Sequence, residues 1–217
     1  VSILSAMDGN EFISSKAKPG CTVAVMTAGE SVNNNRTKAA YQQAAAEFCP
    51  DANLIFDTTG SKTDTALDQT IAENLIKNQD VEVIWPNIGI GSLSVYTAAA
   101  LNNAYAIGVD INQDALEPGS ILTSGLHNTT YMVVEMVTKW QQNELNGLNE
   151  YYWGLSTGVV GITDMATIAQ YADNKENFDR VMGIINDYKQ KIESGEFVVF
   201  NYFVEGNTLY SEWAEQH

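Results

Sequence analysis

Positive charge is scarce in this sequence: 11 Lys and Arg stand against 27 Asp and Glu, a formal charge of −16. Phosphate backbones are held by clustered cations, so the deficit argues against nucleic acid and against anionic membrane surfaces. A polyanionic ligand is disfavoured too; a neutral or cationic small molecule fits better, and much of the acidity reads as solubilising charge. Histidine and cysteine number two each, with no spacing that makes a metal site. No apolar run reaches the roughly 18 residues that cross a bilayer. The opening VSILSAMDGN lacks the basic start and apolar core of a secretion signal. It begins on Val1 rather than Met, as expected of a mature or excised piece. The phosphate-cradling patterns GxGxxG and GxxxxGKS/T are absent as well.

What is present suffices for one full α/β domain: 217 residues, 45% of them hydrophobic. Short β-prone runs alternate with helical periodicity from Cys21 onward. Strands are predicted at Thr22–Met26, Asn53–Phe56, Val81–Trp85, Ala106–Val109 and Ile121–Thr123, continuous apolar runs of the buried parallel kind. Between and after them, helices are predicted from about Arg36 to Phe48, from Asp64 through Ile76, from Leu93 to Asn102, from Thr130 to Asn143 and from Lys175 to Glu193. Residues 151–163 read as a strand or extended loop, and Phe197–Phe203 as β-prone chain that needs a partner. The Met132, Val133, Met136, Val137 and Trp140 stripe is assigned to the core. Five strands alternating with helices give an α/β fold with a doubly wound parallel sheet. Cys21 opens the first strand and Cys49 closes the following helix, so both lie at the amino end of the sheet. A disulfide and two free thiols are both compatible with that placement.

Polar groups gather where strands end. The fourth strand stops on Asp110 and the fifth runs into Ser124–Asn128, and the carboxyl ends of parallel strands form the crevice in such sheets. Asp110 is therefore a candidate ligand contact, against the alternative that it only caps a turn. The segment Gly154–Gly158 spells GxSxG, but no strand precedes Ser156 and β-prone chain follows, so it is not a nucleophile elbow. His217 and His127 are the only imidazoles. An enzyme using Asp110 and His127 as an acid–base pair is the weaker class of function.

The strings AIGVDINQ and ILTSGLH, with a Pro-Gly spacer between them, resemble the second lobe of the basic membrane protein family. Support comes from WPNIGIGS, SKTDTALDQTIAENLI and the closing IESGEFVV. These are solute-binding lipoproteins with the type I periplasmic-binding-protein fold. The resemblance runs from about Pro19 to Val199. It implies a crossover lead-in from a first lobe at 1–20, a ligand-binding lobe at 21–200 and a carboxy-terminal tail at 201–217. It implies a non-enzymatic, cofactor-free protein that binds a nucleoside or similar solute, works with a first lobe on the same or another chain, and delivers to an ABC permease. Its place would be extracytoplasmic, periplasmic or membrane-anchored. By the same resemblance Asp110 would accept from ligand hydroxyls, and His127, where nucleoside receptors carry a lysine, would add a donor. Ser61, Lys62, Asn87 and Gly89 would shape the base end. Lys62 stands where a stacking phenylalanine is usual, and Trp85 is the alternative aromatic partner. A ligand-sensing module of a receptor or regulator is the second reading of the same fold.

Overall fold

The computed structural model describes residues 21–200 apart from residue 146 and residues 148–150. The lead-in at 1–20, the tail at 201–217 with the last part of the β-prone Phe197–Phe203 stretch, and His217 lie outside the described residues. Among the described residues six strands form one sheet: β1 (Thr22–Thr27), β2 (Asn53–Thr58), β3 (Val83–Asn87), β4 (Tyr105–Gly108), β5 (Ile121–His127) and β6 (Val160–Ile162). Their spatial order is β2-β1-β3-β4-β5-β6. The first five are parallel neighbours, and β6 pairs antiparallel with β5 through Gly125–Ile162, Leu126–Gly161 and His127–Val160. The wholly parallel five-stranded sheet expected from the sequence thus gains an antiparallel edge, a common addition to doubly wound sheets. The chain order reverses between β1 and β3, which places the crevice at their carboxyl ends.

The described residues form five α-helices, α1 (Val32–Phe48), α2 (Thr65–Asn78), α3 (Ser92–Leu101), α4 (Thr129–Gln141) and α5 (Lys175–Ser194), of which all but α4 bury side chains against the sheet. Four open on side-chain caps, from Ser31, Asp64, Asn128 and Asn174, each accepting a backbone N–H of the first turn. Helix α1 starts four residues earlier than expected because Ser31, not the asparagine run, is the stop for the preceding loop. Gly195, at φ 79°, ends α5 in the left-handed conformation that glycine adopts without strain.

Alternate residues of each strand divide the core. Val23, Val25, Val83, Tyr105, Ile107 and Leu122 meet α1 and α5 on one face. Ala24, Met26, Ile84, Ala106 and Ile121 meet α2 and α3 on the other. On the first face Tyr188 of α5 sets its ring edge-on to Phe48 (4.8 Å) and Phe197 (5.2 Å) and donates its hydroxyl to Glu47. Burial, with the Glu47 carboxylate beside it, pushes the phenol up to about 12. Residues 198–200 form no strand; instead the Gln43 amide donates to Val198 C=O (2.9 Å) and accepts from Phe200 N–H (3.0 Å), doing what a neighbouring strand would do. Cys21 and Cys49 are not joined in a disulfide; Cys21 lies in that apolar cluster and Cys49 packs against it.

Helix α4 departs from its expected role. None of its residues is buried, and Val133, Val137 and Trp140 are 62%, 47% and 67% exposed. Four residues of the stripe assigned to the core, Met132, Val133, Met136 and Val137, line an open groove of about 450 Å³ together with Tyr151 and Trp153. Periodicity identified an apolar face but not what covers it.

Candidate functional site

The carboxyl ends of the strands carry the site. After β4 the chain turns sharply: Ile111 N–H donates to Val109 C=O (2.8 Å), closing a three-residue turn with Asp110 at its apex. Asp110 has φ 68°, in the left-handed region that a non-glycine residue seldom occupies. A γ-turn with a positive central φ is a strained geometry. Strain of this kind persists only where surrounding contacts hold it, and it concentrates at functional positions. The turn thrusts the carboxylate outward, with 73% of the side chain exposed.

His127 meets it at the end of β5. Its backbone N–H donates to Asp110 C=O (2.8 Å), and its Nδ1 stands 4.0 Å from Asp110 Oδ1. The two residues are 17 apart in sequence, yet adjacent parallel strands bring them together. A carboxylate acceptor beside an imidazole donor is suited to hydroxyl and N–H groups of a neutral solute.

A buried polar network behind the turn holds it in place. Gln113 Oε1 accepts from the Tyr96 hydroxyl (2.6 Å) and from Val109 N–H (2.9 Å). Gln113 N–H donates to Ser124 Oγ (2.9 Å), and Ser124 Oγ donates to Asp114 Oδ1 (2.6 Å). Thr163, just past β6, accepts from Ser124 N–H (3.1 Å) and shares a hydrogen bond with Thr123 (2.8 Å). Burial raises the Tyr96 phenol well above its ordinary range, so it remains a donor. Satisfied networks of this sort rigidify what they support. Sequence reasoning placed Ser124 in the polar cluster but missed its partners Gln113, Asp114 and Thr163; the one local signal was Gly108, which leaves space for Ser124.

The expected base end is a second constellation. The Ser61 hydroxyl accepts from Thr63 N–H (3.1 Å) and Asp64 N–H (3.0 Å), shaping the loop after β2. Lys62 is exposed, and its C=O accepts a long 3.4 Å bond from Gly91 N–H. Asn87 ends β3 and leads into a 3-10 turn, Gly89–Gly91. Gly89 has φ 68° and lies against Lys62, where a side chain would meet Lys62 C=O at 3.3 Å. The two loops therefore dock on each other. Trp85 is differently placed: it packs with the α1 face of the core, its ring 5.7 Å from Tyr41 in a stacked arrangement. Its indole N–H is buried without an acceptor. Among the described residues no group of three or more His, Cys, Asp or Glu is set to hold a metal ion.

Residues 13–199 match the family model described as ABC transporter substrate-binding protein, PnrA-like (Bmp). Solved structures share the architecture. An ABC transporter system solute-binding protein from Aeropyrum pernix K1 aligns with TM-score 0.64 at 22% identity, covering 99% of this chain and 67% of its own. One from Conexibacter woesei DSM 14684 aligns with TM-score 0.65 at 14% identity, covering 94% and 64%. A transcriptional activator of the comK gene from Bacillus halodurans aligns with TM-score 0.62 at 19% identity, covering 87% and 62%. At these identities the likeness shows the fold, and the chain spans about two thirds of the length of each. Among curated proteins none matches the chain.

Proposed function

Because the chain belongs to the Bmp family of PnrA-like ABC transporter substrate-binding proteins, we propose that it is the ligand-binding lobe of a non-enzymatic receptor for a nucleoside-like solute. The observation that carries this reading is Asp110, held at a strained apex on the carboxyl edge of the sheet with His127 beside it. Asp110 accepts from vicinal hydroxyls of the solute and His127 supplies a donor. Ser61, Lys62, Asn87 and Gly89 bound the other end of the solute, with Trp85 behind them as core support.

A pocket that encloses a small molecule must cover most of its surface, and an exposed carboxylate on one lobe does not do so alone. The reading therefore includes a first lobe that closes over this edge, in the hinge sense. The bare apolar stripe of α4 supports such a covering body, because exposed patches of this kind mark docking faces. Delivery to an ABC permease, an extracytoplasmic location and a lipid anchor complete the proposal. The structural likeness to a transcriptional activator keeps a sensory role as the second reading, on fold alone.

Isothermal titration tests it, using the longest natural form of the protein and a panel of adenosine, guanosine, inosine, uridine, ribose and free bases. Saturable heat with a nucleoside is expected. Asp110→Ala should weaken it about 100-fold, the loss of two hydrogen bonds to a charged acceptor. A flat response to every nucleoside overturns the nucleoside reading.

A further inference from the structure

Asp68 is an anomaly. It lies on the first turns of α2, is wholly buried (0% exposed), and neither carboxyl oxygen has a hydrogen-bond partner. It fills the space above Gly91, where a methyl group would stand 1.9 Å from Oδ2 and 2.8 Å from Cγ. Gly91 in turn donates the long 3.4 Å bond to Lys62 C=O that joins the two loops of the base end. The Thr59 hydroxyl lies within reach but is turned to Ser61 C=O (2.8 Å). Asp68 thus sits under the junction of the Thr59–Lys62 and Asn87–Gly91 loops, on their inner side.

We propose that Asp68 is a proton-controlled latch: neutral, it stays beneath Gly91 and keeps the two loops docked; ionised, it leaves for water and undocks them. A buried carboxylate is costly to keep there once ionised, because its hydration is lost and only the Thr59 hydroxyl, now turned to Ser61, is near enough to replace any of it. Burial raises the carboxyl above its ordinary value, Thr59 opposes, and Asp64 adds to the rise. The charged groups around it are few. Asp64 caps the same helix, Lys62 is exposed on the adjoining loop, and Asn87–Leu101, the turn and helix packed on the other side, contains no charged side chain. Since the docked carboxyl holds its proton more tightly than a free one, docking is favoured at low pH and weakens as pH rises through the docked value. The latch concerns the loops that the solute-binding reading uses, but its test requires no solute.

Hydrogen exchange followed from about pH 4 to about pH 8, from the ordinary carboxyl range upward, is the measurement. Rates are corrected for intrinsic chemistry and compared with core amides of α5. Protection at residues 61–64 and 88–91 is expected to fall by up to about tenfold per pH unit once Asp68 ionises. Asp68→Asn, which cannot ionise, should flatten that dependence. Corrected protection that is flat in the native protein, or that falls equally in Asp68→Asn, overturns the latch.

Discussion

Gly108→Ala is expected to destabilise the protein by about 3 kcal/mol, the upper part of the range for forced overpacking. An added methyl would stand 2.2 Å from Ser124 Oγ, 2.8 Å from Ser124 Cβ and 3.2 Å from Gln113 Cβ. Rotating the hydroxyl away removes only the first contact. Ser124 Cβ is fixed to β5, whose Ser124 pairs directly with Gly108 across the sheet. Strands β4 and β5 must therefore separate, which stretches the network that braces the Asp110 turn. Urea unfolding of the native and substituted chains reads the loss. In a Ser124→Gly background the same alanine should cost much less, since its obstacle is gone. A change within about 0.5 kcal/mol, ordinary for a surface site, would show that the strands do not approach so closely.

Removing the acceptor at the centre of that network has a comparable effect by a different route. Gln113→Ala removes the acceptor of the buried Tyr96 hydroxyl and of the half-buried Val109 N–H. Each orphaned group costs roughly 1–3 kcal/mol, so a loss of about 3 kcal/mol is expected. Gln113→Glu retains an acceptor for both donors and should recover most of it. The substitution also frees the residue after Gly108 from its tether, so the turn at Asp110 relaxes out of its strained apex. Solute affinity of the natural protein should then fall about tenfold, the cost of re-forming a conformation no longer held in advance. Unfolding curves and titration of the three proteins separate the two effects. Equal stability of the alanine and glutamate forms would remove Gln113 from this role.

The sequence carried the fold because parallel strands buried on both faces are continuous apolar runs, and TVAVM and its successors stand out against their helices. It carried Asp110 and His127 because strand ends are local features. It carried β6 only as a strand or extended loop somewhere in 151–163, because three residues are too short for periodicity to fix the strand or its direction. It mistook α4, since a hydrophobic stripe states which face is apolar and leaves open what meets it. In the sequence Asp68 is one more acid near a helix start, a place where acids are ordinary, and nothing singles it out. Its burial depends on Gly91, 23 residues away, and no local pattern encodes that contact. The same holds for Gln113 and Thr163, which reach Ser124 only after the strands have paired.

The neck between β5 and β6 has a topological consequence. Asn128 N–H donates to Val159 C=O (2.7 Å), directly beyond the His127–Val160 pair. The chain between those residues leaves the sheet and returns to the place it left, as an insertion does. Its helix contributes no buried side chain to either core cluster. Such an excursion can open and close as a cooperative unit of its own, with a free energy below that of the sheet. Trp140 and Trp153 ride on the excursion, whereas Trp85 belongs to the sheet. Indole emission from these three therefore follows two folding units at once, with Trp213 outside the described residues.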